Sequence, residues 1–110
     1  MSIGRGDIHW VNFPKRDPHG AEIEKTRPCV ILSLTAVNAV RRTVVVVPLT
    51  FSPDPAPPIA IALASAGPES VAVCDQVTAV DKRRLKKKAG SVSAADLQAI
   101  ERSVRLVLGL

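Results

Sequence analysis

The sequence predicts an α+β domain in which a small, curled antiparallel sheet packs against a C-terminal amphipathic helix. The first eighty residues hold short runs of β-forming residues separated by glycine and proline turns. The last thirty residues carry a helix-capping signal followed by apolar residues at helical spacing. A length of 110 residues without an internal repeat or long linker indicates one domain over residues 1–110.

Five segments rich in β-forming residues are expected to supply the strands. They are residues 7–13, 28–34, 43–50, 59–63 and 70–80. Pro28 suits the first position of its strand, and Pro48 indicates a sheet edge or a bulge. The polar residues 14–26 are expected to form a long loop, and the proline-rich residues 53–58 an extended one.

Two helices are predicted in the last thirty residues. Asp81 can cap a short helix that Leu85 anchors and that ends near Gly90. Ser93 and Asp96 have the spacing of a capping box and predict the start of the terminal helix. The apolar positions of that helix recur at helical spacing and are Leu97, Ile100, Val104 and Val107.

The net charge of +5 has a single source in the sequence. Six of the fifteen Lys and Arg residues lie within residues 82–88, and the other nine face ten Asp and Glu residues, which leaves 9 − 10 = −1 elsewhere. A short basic run of this kind is typical of a surface that attracts a polyanion. With 46% hydrophobic and 23% charged residues, the chain does not have the composition of a disordered protein.

Several classes of protein are disfavoured by the sequence. No apolar stretch approaches the roughly 20 residues of a membrane span, and the first residues carry a charge where a signal peptide is apolar. Cys29 and Cys74 lie in apolar runs without zinc-ligand spacing, so we expect buried, reduced thiols in a cytoplasmic protein. Phosphate-binding glycine motifs are absent as well, and we expect neither a metal nor a cofactor.

Three segments, in order, resemble the MazF/PemK/Kid family of toxin endoribonucleases. They are GDIHWVNF (residues 6–13), GAEIEKTRPCVILS (20–33) and the stretch from VAVCDQVT to VRLVLGL (71–110). The resemblance implies an SH3-like curled β-barrel, as in CcdB and MazF, with a C-terminal helix. It also implies a homodimer that cleaves single-stranded RNA by metal-independent 2′-OH transesterification and is neutralised by a cognate MazE-like antitoxin.

Two residues match the family's catalytic positions. Arg27 matches the catalytic Arg, and its planar guanidinium can engage two oxygens of a phosphorane at once. Thr50 matches the catalytic Thr, and its neutral hydroxyl is better suited to orienting the phosphate or relaying a proton than to acting as a base. From position alone, the competing interpretations are an Arg paired with a carboxylate and a Thr that ends a strand.

The general base is left open among several residues. Glu22 matches the family's functional Glu and is a candidate catalytic residue, while Asp75 matches an acid used in part of the family. His19 has a suitable intrinsic pKa but no position fixed by the family pattern. His9, inside a strand, is interpreted as structural. The candidates for RNA binding are Lys25, His19, Asp75 and Gln76.

The sequence departs from the family pattern at two positions. Val73 stands where the branch that uses the Asp75 position has an Arg, and Thr78 stands where relatives commonly carry a basic residue. The first departure weakens a mechanism based on Asp75. The second removes one expected phosphate contact, for which Lys25 is the substitute.

Two alternatives to an endoribonuclease come from other classes. One is a CcdB-like, gyrase-binding toxin, although Leu-Gly-Leu at residues 108–110 is not the aromatic-rich end expected of one. The other is a basic SH3-like module that binds nucleic acid without cutting it. Residues 82–88 are expected to be a solvated helical face that speeds encounter with RNA or with an acidic antitoxin tail.

Overall fold

A computed structural model describes residues 2–13, 25–51 and 54–110 of the chain. The strands in these ranges are β1 (Asp7–Phe13), β2 (Lys25–Ile31), β3 (Thr43–Thr50), β4 (Ala60–Ala62), β5 (Val71–Val73), β6 (Thr78–Asp81) and β7 (Leu85–Ser91). The α-helices are α1 (Thr35–Val40) and α2 (Ala94–Leu108). The predicted α+β class, an antiparallel sheet with a C-terminal helix, is confirmed.

The strand β3 is the centre of the sheet. The strands follow the order β4-β5-β3-β2-β1-β7, and β6 pairs with another part of β3. On one side, β3 pairs with β2. On the other side, its first half pairs with β6 and its last two residues pair with β5. The described pairings are antiparallel and curl the sheet without closing it into a continuous barrel.

Pro48 occupies a different position from the predicted edge or bulge. It lies inside the central strand, directly opposite Cys29 of β2. The pairing of β3 with β6 ends at Val46, and the pairing with β5 begins at Leu49. Pro48 therefore stands where β3 changes partners, a position at which no ladder hydrogen bond is needed on that side.

Two apolar clusters form the core, one on each face of the sheet. The cluster between the sheet and α2 includes Ile8, Val30, Val47, Leu49, Ile100 and Val104. The cluster on the other, inner face includes Val11, Cys29, Ile31, Val44, Val46 and Leu85. Successive residues of β2 and β3 alternate between the clusters, as period-two strands buried on both faces must. The two buried apolar runs of the sequence are thus explained.

The start of α2 is held by three side chains. The hydroxyl of Ser93 accepts a hydrogen bond from the backbone N–H of Asp96 at 3.1 Å, which confirms the predicted cap. The carboxylate of Asp96 accepts from the N–H of Ser65 at 2.9 Å and from its hydroxyl. Ser65 in turn accepts from the N–H of Ser93 at 3.0 Å, a role that the capping box normally gives to its own acid. The helix start is therefore tied to the segment before β5.

The predicted helix between Asp81 and Gly90 is wrong. Asp81 does act as a cap, but of a single 3₁₀ turn at Lys82–Arg84, after which the chain continues as β7. Leu85 is buried on the inner face, and the lysines that follow are exposed along an edge strand that pairs with β1. Lysine-rich edges of this kind discourage pairing between separate sheets. Backbone pairing to β1 replaces the hydrogen bonds that a helix would have supplied.

The helix α1 is not predicted from the sequence. Its six residues lack a side-chain cap, and Asn38 is its buried residue. The side-chain amide of Asn38 donates to the carbonyl oxygens of Ile3 at 3.0 Å and Ser33 at 3.1 Å. These contacts join α1 to the start of the chain and to the end of β2. Tertiary contacts, rather than local propensity, stabilise so short a helix.

Both cysteines are free and buried. Burial raises the pKa of the Cys29 thiol to about 12 and also raises the pKa of Cys74. Neither thiol is therefore ionised at neutral pH. None of the helices in the described ranges is long and apolar enough to cross a membrane.

We expect the native protein to resist modification by N-ethylmaleimide, because the reactive species is the thiolate and both thiols are buried and protonated. Mass spectrometry should show no adduct on the folded protein at neutral pH and two adducts after unfolding in denaturant, one for each cysteine. Rapid labelling of either thiol in the folded protein would contradict this arrangement.

Candidate functional site

Arg27 lies within a strand rather than between a loop and a strand. The strand β2 begins at Lys25, three residues before the predicted start, so Lys25 and Thr26 belong to the sheet. Arg27 is directly opposite Val11 of β1. The pairing of β2 with β3 begins only at Cys29, so Pro28 is in a part of β2 that has one neighbouring strand, where a proline is tolerated.

The register of β2 and β3 relates Arg27 to Thr50. The paired residues are Ile31 with Val46, Val30 with Val47 and Cys29 with Pro48. Arg27 and Thr50 each lie two residues beyond the last of these pairs, at the same end of the two strands. Thr50 is the last residue of β3 and is itself paired with Val71 of β5. Residues two apart on a strand share a face, so Arg27 and Thr50 are on the face of Cys29 and Pro48.

Lys25 belongs to the same group of side chains. It pairs with Phe13, which packs against the inner cluster, just as Arg27 pairs with Val11. Directly opposite residues of an antiparallel pair project to the same face of the sheet. Arg27 and Thr50 are half-buried, while Lys25 is exposed. The inner face thus ends in two cationic side chains and one hydroxyl.

Arg27 takes part in none of the ion pairs found among the described residues. Those pairs are Arg5 with Glu101, Arg83 with Asp81 and Lys88 with Asp7. The interpretation of Arg27 as a structural partner of a carboxylate therefore gains no support from this part of the chain. A guanidinium without a carboxylate is suited to binding a phosphate.

Cys29 sits beside Arg27 in the strand but has no part in nucleophilic chemistry. Its thiol donates to the carbonyl oxygen of Arg27 at 3.7 Å. Because the pKa of Cys29 is about 12, the sulfur stays protonated at neutral pH. The chemistry of this end of the sheet is therefore left to the guanidinium, the hydroxyl and the lysine.

Asp75 and Gln76 occupy a different place. They form the end of the 3₁₀ turn Cys74–Gln76, which links β5 to β6 and is anchored by the buried Cys74. Both side chains are exposed. This turn is on the side of β3 away from β2, so the central strand separates it from Arg27.

The two positions that depart from the family pattern flank this turn. Val73 is half-buried and ends β5, opposite Ala60 of β4. Thr78 begins β6 opposite Val46, four residues before Thr50 along β3. At 3.3–3.4 Å per residue, that separation is about 13 Å. A contact supplied from position 78 would therefore be distant from Thr50.

The other residues considered for proton transfer are Glu22, His19 and His9. Glu22 and His19 lie outside the described residues. His9 is buried, with 1% of its surface exposed, and its Nδ1 atom is 3.2 Å from the carbonyl oxygen of Lys86. Burial of this extent removes His9 from contact with a substrate and agrees with its interpretation as a structural residue.

The curled antiparallel sheet with its C-terminal helix has the architecture of MazF-like toxins. The sequence model of one family, described as PemK-like, MazF-like toxin of type II toxin-antitoxin system, matches residues 4–108. This chain belongs to that family.

Solved structures have the same fold over the whole chain. The MazE-MazF complex of Deinococcus radiodurans (Form-II) is 25% identical, with a TM-score of 0.83 and coverage of 100% of this chain and 98% of that one. An endoribonuclease from a mycobacterial species is 22% identical, with a TM-score of 0.81 and coverage of 100% and 94%. A mycobacterial endoribonuclease in complex with its cognate antitoxin is 24% identical, with a TM-score of 0.77 and coverage of 99% and 97%.

The different surroundings of two arginines lead to a prediction about stability. Arg5 pairs with Glu101 at 2.8 Å and donates from Nε to the carbonyl oxygen of Leu32 at 2.9 Å. Arg5→Ala should therefore lower the free energy of unfolding by about 1–2 kcal/mol. Arg27→Ala should cost less, because none of the described ion pairs is lost. Urea unfolding followed by circular dichroism measures both, and a larger loss for Arg27→Ala would indicate a structural role.

Proposed function

We propose that this protein is a toxin endoribonuclease that cleaves single-stranded RNA at specific sequences, without a metal ion, and is neutralised by a cognate antitoxin. The observation that carries the proposal is the register of β2 and β3: its last pair, Cys29 with Pro48, lies two residues from Arg27 on one strand and two residues from Thr50 on the other, on the same face of the sheet. Membership of a toxin family and the names of the similar endoribonucleases support the choice of RNA as substrate.

The reaction makes and breaks one bond at phosphorus. The ribose 2′-oxygen attacks the adjacent phosphorus and gives its proton to a base. The bond from phosphorus to the 5′-oxygen breaks, and that oxygen takes up a proton. The products are a 2′,3′-cyclic phosphate and a 5′-hydroxyl end. Between them lies a phosphorane whose extra negative charge needs fixed, positively charged donors.

In this proposal, Arg27 stabilises the phosphorane. Its backbone is fixed by pairing with β1, and a guanidinium can donate to two phosphate oxygens in parallel. Thr50 orients the same phosphate or relays a proton, since a neutral hydroxyl is too weak a base to deprotonate the 2′-OH. Lys25, one side chain further along the same face, binds a neighbouring phosphate. Thr78 is opposite Val46, at the other end of the paired strands, so Lys25 does not replace the contact that a basic residue at position 78 would make.

The base and the remaining RNA contacts are assigned from the family resemblance. Glu22 accepts the proton of the 2′-OH, and His19 contacts RNA from the same segment. Asp75 and Gln76 are exposed on the 3₁₀ turn across β3, where they can contact bases further along the strand. Because Asp75 is separated from Arg27 by the central strand, we assign it to binding rather than to proton transfer.

The proposed partners besides RNA are an antitoxin and a second copy of the chain, in the cytoplasm. Similar structures include complexes whose names state an antitoxin or MazE. Large apolar side chains are exposed at and just beyond the end of α2, and on α1 and the residue before it, as expected of surfaces that other chains cover. They are Leu106, Leu108 and Leu110, and Leu34, Val37 and Val40.

Cleavage of RNA in EDTA tests the proposed function. The purified protein is incubated with a long single-stranded RNA, and the new ends are mapped and analysed for cyclic phosphate. We expect cuts at a recurring sequence. Arg27→Ala should reduce kcat/KM by about 10²-fold or more, as loss of a single transition-state donor does elsewhere. Arg102→Ala, a matched removal of an exposed arginine on α2, should cut at the wild-type rate.

Three results would contradict the proposal in different ways. Intact RNA with folded wild-type protein would overturn the activity and favour a non-catalytic nucleic-acid-binding or gyrase-binding relative. Unchanged cutting by Arg27→Ala would overturn the assigned role of this residue. Cutting that requires added magnesium would overturn the metal-independent mechanism.

A further inference from the structure

A basic surface lies at the corner where β6 turns into β7. Six of the fifteen Lys and Arg residues line two adjoining cavities there, of about 360 and 470 Å³. We call these six residues the corner surface: Arg41, Arg42, Lys82, Arg83, Arg84 and Lys86. Asn12 and Asp81 complete the lining.

The fold joins two separate parts of the sequence in this surface. Thr43 at the start of β3 pairs with Asp81 at the end of β6. The backbone N–H of Lys82 then donates to the carbonyl oxygen of Arg42 at 2.9 Å. Arg41 and Arg42 are thereby placed beside a charge run forty residues later in the chain. The sequence shows the charge run but not the two arginines that extend it.

The corner surface carries a large uncompensated charge. Asp81 is the acidic residue that lines it, which leaves 6 − 1 = +5 over the described lining. Asp81 accepts from Nε of Arg83 at 3.1 Å and from Nη2 at 3.0 Å. This pairing lowers the pKa of Asp81 to about 2, so its charge is present throughout the neutral range. Among the described residues, the other five cations take part in none of the ion pairs.

We propose that the corner surface binds the phosphate backbone of the RNA strand that flanks the cleavage position, an inference that rests on the proposed function. Backbone binding needs spaced cations and no apolar contact. The core of a protein interface, in contrast, is largely apolar. None of the large, exposed apolar side chains of the described chain lines either cavity. The surface therefore fits a polyanionic backbone better than a folded partner.

The position of the corner surface determines which RNA can reach it. Val11 pairs with Arg27 on one side and with Leu85 on the other, so β7 starts two strand spacings, about 10 Å, from Arg27. Lys86 follows the inward-facing Leu85 on β7 and therefore projects to the opposite face from Arg27. Arg84, the last residue of the 3₁₀ turn, lines the same cavity as Lys86. Because β7 is an edge strand, an RNA strand bound at Arg27 can reach them by crossing β1 and bending around that edge of the sheet. Only an RNA that extends well beyond the cut can bind both places.

The test compares RNAs of two lengths in binding and in cleavage. Short and long RNAs of about 6 and about 20 nucleotides carry the same cleavage sequence, the first within and the second beyond the site size of a small nucleic-acid-binding domain. Binding is measured by fluorescence anisotropy, at several salt concentrations, with 2′-O-methyl versions that cannot be cut. The variants are Arg41→Gln/Arg42→Gln and Arg84→Gln/Lys86→Gln. The control is Arg102→Gln/Arg105→Gln, an equal loss of charge from exposed residues of α2. Circular dichroism and urea unfolding establish that each variant is folded.

Each corner variant should weaken binding of the long RNA about tenfold at low salt and reduce the salt slope by about 1.4, since a single strand contributes about 0.7 per phosphate contact. The short RNA should be bound and cleaved as by the wild type. The control variant should change neither measurement by more than about twofold, because α2 lies outside the corner surface.

Four outcomes would overturn the inference. The first is that the control variant weakens binding of the long RNA as much as the corner variants do, which would indicate a general effect of net charge. The second is that the corner variants weaken binding of the short RNA as much as that of the long RNA. The third is unchanged binding of the long RNA by the corner variants. The fourth is tighter binding of polyglutamate than of RNA of equal charge, lost in the same variants, which would identify an acidic peptide as the occupant. Failure of the wild type to cut any RNA would overturn the proposed function instead, and the 2′-O-methyl binding data would still decide the corner surface.

Discussion

The antiparallel pairing of β2 with β3 is the interaction on which the rest of the structure depends. Three residue pairs, from Ile31 with Val46 to Cys29 with Pro48, fix the register of two strands that are buried on both faces. A slip of one residue would move every side chain of the strand to the other face of the sheet, so that residues of the cluster under α2 and of the inner cluster would exchange places. The same register leaves Arg27 and Thr50 each two residues beyond its last pair, at the same end of the two strands and on the same face of the sheet. Stability of the core and placement of the proposed catalytic pair therefore have one physical cause.

The change of partners along β3 explains the rest of the architecture. A proline at position 48 cannot donate a backbone hydrogen bond, and the sheet divides there between β6 and β5. The chain between those strands forms the 3₁₀ turn Cys74–Gln76, whose buried cysteine packs with Ile100 and Val104 of α2 in one cluster. Asp75 and Gln76 are consequently exposed on the opposite side of β3 from Arg27. Phosphate binding is thus assigned to the start of β2 and the end of β3, and wider RNA contact to the turn.

How far the sequence could predict this structure depended on whether the signal was local. The buried runs of β2 and β3 and the cap at Ser93 are local patterns, and they are confirmed. The helix predicted from Asp81 to Gly90 is wrong because one apolar residue, Leu85, cannot distinguish a helix from an edge strand, and pairing with β1 decided the outcome. Helix α1 escaped prediction because its buried residue is a polar Asn38 held by tertiary hydrogen bonds. The placement of Arg27 and Thr50 at one end of the same face, and the contact of Lys82 with Arg42, depend on pairing between distant segments, which no local pattern encodes. The family resemblance supplied the first of these relationships as an expectation, and strand register gives it a physical basis.

The central claim is that Arg27 and Thr50 act on one phosphate. A double-mutant cycle tests it most directly: kcat/KM is measured on one short RNA for wild type, Arg27→Ala, Thr50→Val and the double variant. If both side chains act on the same phosphorane, the double variant should be only slightly slower than the slower single variant, with a coupling energy of at least about 1 kcal/mol. Losses that multiply, with a coupling energy near zero, would show that the two residues act independently and would contradict the account.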